Sequence, residues 1–218
     1  MLSLCFDMEK EIVLRVEKAG LTLGRKCLFD GFSLQVHRGE MVCITGESGC
    51  GKTSLLRAVL GFQPLSAGEI VVNGISLSES AVNELRRLVA YVPQELYLPC
   101  ECVSEMVMLL FELKANKKTP FSYDTLMEWW NILGLDPELY RRKVNRISGG
   151  QRQRIILSVS AMLNKELYLV DEPTSALDPE SVKRVQELFR RLTSQGAAVL
   201  AVSHDKGFMS VCDRVVNL

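Results

Sequence analysis

Gly46-Glu47-Ser48-Gly49-Cys50-Gly51-Lys52-Thr53-Ser54 gathers three glycines, a lysine and several hydroxyls into one short stretch. The spacing fits G-x-x-x-x-G-K-[ST]. Glycines let a backbone close around phosphate oxygens through conformations that are costly for residues with a Cβ. The N–H groups exposed in this way form a nest for an anion, and a helix beginning near Lys52 adds the positive end of its dipole. Lys52 then supplies a point charge within reach of β- and γ-phosphates, and Thr53 a hydroxyl for Mg²⁺. Cys50 lies inside the loop. A redox-sensitive thiol is one reading; a position that accepts a small residue is the other, and carries more weight.

Two further groups could do chemistry. Leu167-Tyr168-Leu169-Val170 runs into Asp171-Glu172. A buried strand ending in two acids sets them at the carboxyl edge of a sheet, where α/β proteins bind ligands. Asp171 is read as facing a metal, commonly through water. Glu172, pointing elsewhere, would accept a proton from an attacking water or orient it. Two acids at a strand end are often only a solvated loop, but the upstream loop gives these something to act on. Ser148-Gly149-Gly150-Gln151 opens a helix, with Ser148 as its N-cap, and makes a second helix-start site for phosphate. One nucleotide rarely needs two such sites from one chain. Two chains placed head to tail would use both.

The elements that position these groups alternate along the chain. Met41–Thr45, Leu167–Val170 and Ala197–Val202 are continuous apolar runs, read as buried parallel strands. Helical patterns follow them over Lys52–Leu60, Pro179–Ser194 and Lys206–Val211. Ile12–Val16, Phe32–Val36 and Glu69–Val72 alternate or border turn glycines and predict a small antiparallel sheet. Residues 95–147 show no convincing strand. Val103–Lys114 and Tyr123–Leu133 there have helical spacing, so an all-helical insertion is expected, with Trp129 and Trp130 as packing residues rather than a base-stacking platform.

Lys plus Arg and Asp plus Glu are both 26, a net charge of zero. Nothing in that balance suggests a basic nucleic-acid footprint or a polybasic membrane anchor. No run approaches the roughly 20 apolar residues of a spanning helix; Val103–Phe111 is the most apolar stretch and carries Ser104 and Glu105. MLSLCFDMEKE lacks the pattern of a secretory signal. The expectation is a soluble cytosolic chain whose membrane spans, if it needs any, come from a partner. Seven cysteines without paired spacing read as reduced thiols, and the lone Cys100-x-Cys102 pair as weak evidence for metal.

Ile147-Ser148-Gly149-Gly150-Gln151-Arg152-Gln153-Arg154, followed by Asp-Glu about twenty residues on, resembles the signature of the ATP-binding cassette family. The resemblance spans nearly the whole chain. By it, Gln94 in Tyr91-Val92-Pro93-Gln94 looks like the glutamine that touches Mg²⁺ and the attacking water. Ser175-Ala176-Leu177-Asp178 looks like the loop that communicates across a dimer, and His204 like the switch histidine on the γ-phosphate. From its residues alone, His204 reads as a strand-end or capping group. Gly61 through Gly74 resembles the family's segment after the first core helix.

The resemblance implies an α/β fold over residues 1–218: a P-loop NTPase core with a mostly parallel sheet, an N-terminal antiparallel β subdomain and an inserted all-helical subdomain. Residues 1–94 and 148–218 would form the core and 95–147 the insertion. It implies an ATPase with catalytic Glu172, His204, Gln94 and Lys52, and Mg²⁺ on Thr53, Gln94 and Asp171. The nucleotide would be held by residues 46–54 and by Leu23, Ser148–Gln151 and Asp178. Its partners would be ATP, a second copy or a homologous cassette, and an integral membrane transporter subunit, with no nucleic acid. It would sit peripherally on the cytoplasmic face of the inner (plasma) membrane.

Three departures qualify this. Leu23 stands where the family usually stacks an aromatic on adenine, Ser158-Val159 replaces a common Ala-Arg, and the chain reaches Leu218 without the C-terminal regulatory domain of some importers. The short form tilts the expectation toward an exporter or lipoprotein-release type. A non-transport cassette of the DNA-repair, chromosome or translation kind is the alternative reading, and a P-loop small-molecule kinase a third.

Overall fold

A computed structural model describes residues 11–95 and 98–218. The first ten residues, on which the expectation about a secretory signal rests, lie outside it, as does Cys5. Two sheets organise the chain. Strands β1 (Ile12–Leu23) and β2 (Lys26–His37) form a long antiparallel hairpin, and β3 (Met41–Thr45) then enters a second, parallel sheet. Helix α1 (Lys52–Val59) follows, then β4 (Ala67–Val72) and β5 (Ile75–Ser76) return to the first sheet. Helix α2 (Val82–Leu88) runs directly into β6 (Val89–Val92). After α3 (Val103–Glu112), α4 (Tyr123–Leu133) and two short 3₁₀ turns, the chain continues through α5 (Gly149–Met162), β7 (Leu167–Asp171) and α6 (Pro179–Ser194). Strand β8 (Ala198–Val202), α7 (Lys206–Met209) and β9 (Arg214–Asn217) complete it. The antiparallel order is β2-β1-β4-β5 and the parallel order β6-β7-β8-β3-β9.

The parallel strands read as unbroken apolar runs because both of their faces are covered. Val42, Ile44, Leu167, Leu169, Leu200 and Val202 pack toward the antiparallel sheet and α1. Met41, Tyr168, Val170, Val199 and Ala201 pack toward the helical side with Trp130, Ile155 and Phe189. Strand β1 is longer than its alternation predicts and is bent at Lys18, which sits at φ 45° beside a register shift. Gly68 of β4 crosses there so closely that a Cβ would collide with the Glu17 and Lys18 carbonyls, and its own φ is 82°. The bulge requires glycine.

Among the described residues, 95–147 contains helices and one isolated bridge, between Cys102 and Lys143. Val103 N–H donates to the Arg142 carbonyl and Val144 N–H to that of Glu101, each at 2.9 Å, so the two ends of the inserted segment lie side by side. Trp130 is fully buried and its indole N–H donates to Ser158 Oγ at 3.0 Å. That bond gives Ser158 a packing role and explains a serine at this point of α5. Trp129 packs beneath the Arg191 guanidinium at 5.1 Å. Both tryptophans are core residues, as their spacing predicts.

Candidate functional site

The turn between β3 and α1 bears out the conformational reason for its glycines. Gly46, Gly49 and Gly51 take φ of 150°, 78° and 112°. A Cβ on Gly51 would lie 3.0 Å from Phe29 and 3.1 Å from Leu28, where β2 crosses the loop. Lys52, at the first position of α1, is buried and turns its ammonium inward to the Gly46 and Glu47 carbonyls at 2.8 and 2.9 Å. The charge is thus fixed at the centre of the turn, beside the open α1 N-terminus.

Strand β7 lies two strands from β3, and its end faces the same turn. Thr53 Oγ1 donates to Asp171 Oδ2 at 2.8 Å. Glu172 follows in the left-handed region, φ 48°, with its N–H on the Val202 carbonyl at 2.9 Å. A residue with a Cβ held there costs about 1–2 kcal/mol, the kind of strain that collects at working sites. The strained backbone turns the carboxylate toward β8. Its Oε2 accepts from the His204 backbone N–H at 3.4 Å, and its Oε1 is 3.8 Å from His204 Nε2.

These groups share one cavity of about 570 Å³. Leu23 is at its rim and 44% exposed; Ser48, Gly49 and residues 51–54 form one wall, and Gln94, Asp171, Glu172 and His204 another. Leu28, which the sequence did not single out, joins Leu23 on the apolar side. Its signal was available only as one more apolar residue of β2. Gly46, Glu47 and Cys50 are not among the residues that line the cavity, and the Cys50 thiol is 4.0 Å from Lys52 Nζ. Ser148–Gln151 and Asp178 are not in this cavity. Ser148 caps α5, exchanging bonds with Gln151 at 2.9 and 3.1 Å, and the face of Gly149 is open, with nothing within 4 Å of an added Cβ. Asp178 caps α6, and its carboxyl is held at about 2 by the Ser181 hydroxyl and backbone N–H groups.

Burial pushes the Asp171 carboxyl up, opposed by the Thr53 hydroxyl and the charges of Arg57 and Lys52. Burial also pushes Glu172 up, opposed by the bond from His204. A carboxyl raised in the fold destabilises it once ionised: the relief is present below its unfolded value and lost as pH rises through the folded one. Asp171→Asn, which keeps an acceptor for Thr53, is therefore expected to melt higher than the parent chain at neutral pH. A domain of this size answers each kcal/mol with about 2–4 °C. Calorimetry across pH should show the gap closing in the carboxylate range; a lower melting temperature at pH 7 would contradict it.

Among the described residues, no group of three or more His, Cys, Asp or Glu side chains could hold a metal by itself. The Thr53–Asp171 oxygen pair fits instead a magnesium shared with phosphates, which needs only one or two protein ligands. The six described cysteines are all free. No described helix is long and apolar enough to cross a membrane.

Comparison with known proteins bears on the whole of this arrangement. A family model described as ABC transporter matches residues 29–175, and a model of an AAA domain matches residues 148–210. The glutamine transport ATP-binding protein GlnQ of Bacillus subtilis is 32% identical over 189 residues, 84% of this chain and 77% of its own. The glutamate/glutamine/aspartate/asparagine transport ATP-binding protein BztD of Rhodobacter capsulatus is 32% identical over 216 residues, covering 96% and 81%. A dimeric post-hydrolysis structure of the ATP-binding cassette MJ0796, bound to ADP and Pi, superposes with a TM-score of 0.80 at 24% identity over 94% of each chain. At that identity the superposition speaks for the fold.

Proposed function

The chain belongs to the ABC transporter family, and from that premise we propose that it is the ATP-binding and ATP-hydrolysing subunit of such a transporter, working as a head-to-tail pair around two Mg-ATP. One observation carries the reading: a single cavity joins a glycine cradle centred on Lys52, the Thr53–Asp171 oxygen pair at 2.8 Å and the Glu172–His204 contact at 3.8 Å. Phosphoryl transfer to water asks little more of a protein than positioning and charge. Lys52 holds the terminal phosphates. Thr53 and Asp171, with Gln94 beside them, would hold Mg²⁺, which when bound neutralises charge on the phosphate oxygens. Glu172 takes up or orients the proton of the attacking water, and its burial makes it a stronger base than a free carboxylate. His204 reaches toward the γ-phosphate. The Ser148–Gln151 helix start lies outside this cavity and serves the nucleotide of the opposing copy.

The partner is a membrane-spanning subunit. An apolar groove of about 350 Å³ runs between the core and α3, lined by Pro93, Leu98, Leu109 and Leu113, with Phe62 at 60% and Leu113 at 51% exposure. Its lining includes Pro93, the neighbour of Gln94, so a cytoplasmic helix of the partner seated there would act on the residue that faces the nucleotide. The chain would then be peripheral to the cytoplasmic face of the membrane, with residues 95–147 as the docking subdomain. GlnQ and BztD carry amino-acid transport in their names. That favours amino-acid transport over the exporter or lipoprotein-release type.

The purified chain is expected to release phosphate from ATP only with a divalent cation, faster with its membrane subunit and unaffected by DNA or ribosomes. Transfer of phosphate to a metabolite would overturn the reading. The missing aromatic gives a separate expectation. Leu23→Tyr adds a ring at the cavity rim, and base stacking is worth about 1–3 kcal/mol, or roughly 5- to 150-fold in Kd. Calorimetric titration with MgADP should register the gain; unchanged affinity would place the base elsewhere.

A further inference from the structure

A cation that none of the roles above uses stands against Gly49, one of the residues that line the cavity. Lys26 faces Leu23 across the end of the β1–β2 hairpin, the two paired in register and joined by Gly24-Arg25, with Gly24 at φ 59°. Its ammonium lies 3.4 Å from the Gly49 carbonyl, and a Cβ on Gly49 would be 3.9 Å from it. A contact of that length is a weak hydrogen bond. Among the described residues no carboxylate pairs with this lysine. The hairpin therefore suspends one charge over the phosphate loop, at the end nearest Leu23, where no aromatic ring lines the cavity.

The geometry points to Lys26 as a nucleotide-binding residue whose ammonium contacts the phosphate chain on its ribose side. The assignment rests on the reading of this cavity as the ATP site. An aliphatic Leu23 offers the base dispersion and no π-face, so the hairpin contributes by charge what it does not contribute by stacking. Such a contact is indifferent to the base. It is shared by di- and triphosphates, because it lies between the base end and the loop, and it weakens with salt because Lys26 is exposed.

Calorimetric Kd values for MgADP and for a non-hydrolysable ATP analogue test this in the full chain. Lys26→Met should raise both by the same factor, about 5- to 20-fold, the range open to a charge-assisted contact left partly in solvent. The factor should shrink at high salt, Lys26→Arg should restore affinity, and the melting temperature should not move. Lys26→Gln keeps a donor without the charge and should behave like Lys26→Met. Unchanged Kd values would overturn the assignment, as would a loss confined to the triphosphate. Full rescue by Lys26→Gln would also overturn it, since a neutral brace on the Gly49 carbonyl would then suffice. Parent protein that binds neither nucleotide would overturn the ATP-site reading and this one together.

Discussion

Glu172→Gln is expected to cut phosphate release by about 10²–10⁴-fold, the range a positioned general base contributes, while ATP still binds and assembles a dimer that persists. The amide keeps the size of the side chain and the backbone bond to the Val202 carbonyl, so the strained turn at φ 48° survives. Proton acceptance is lost. The cradle around Lys52 and the Thr53–Asp171 pair are untouched, so ATP affinity should change by less than the rate does. If ATP joins two copies and hydrolysis parts them, a variant that binds without turnover accumulates as dimer. Size-exclusion chromatography with light scattering reads this directly. A variant that stays monomeric at saturating MgATP would sink the two-copy mechanism even if its rate fell as expected.

The residues of that site differ in how legible they were. Lys52 and Thr53 could be read from the chain because their chemistry is local: a glycine turn, a lysine and a hydroxyl within eight positions dictate one geometry. Asp171 and Glu172 could be read because a fully apolar strand must end at a sheet edge. Other features depend on contacts far away in sequence. Strand β6 has no mark in the sequence because α2 ends at Leu88 and β6 begins at Val89, leaving no turn residue between them. Helix α7 stops at Met209, short of the Val211 its pattern allows. The left-handed backbone of Glu172 has no local cause, since nothing in Asp-Glu-Pro asks for positive φ; it occurs where the chain bonds to β8. Leu28 reaches the cavity, and Lys26 the Gly49 carbonyl beside it, only because the hairpin folds over the loop. Residues that act through neighbours in sequence are visible in a sequence, whereas those delivered by strand crossing are not.

The same distinction yields the second large effect. Ser148–Gln151 sit on a helix start outside the lining of their own chain's cavity, so on the proposed reading they serve a nucleotide that another copy brings. Gly149→Asp tests this at low structural cost: its Cβ would meet nothing within 4 Å, and a carboxylate at a helix N-terminus favours the helix. Against a phosphate approaching that N-terminus the same carboxylate is repulsive, so hydrolysis should fall by about 10²–10³-fold, the loss that follows removal of a preorganised charge-stabilising donor. Binding of ATP to the isolated chain should be nearly unchanged. Lys52→Ala should be as inactive for the opposite reason, having lost its own cradle. Mixed together, the two inactive variants pair into dimers in which one site joins both defects and the other joins an intact loop to an intact signature. With random pairing in a two-fold dimer, about a quarter of the parent sites are restored, and with them a comparable share of the parent rate if one intact site suffices for turnover. Recovery on mixing requires that each site draw on two chains, because no arrangement confined to one chain can repair either variant. An equal mixture as inactive as its components would count against that composite site, or require both sites for turnover; ATP-driven dimerisation of the same mixture, measured in parallel, separates the two.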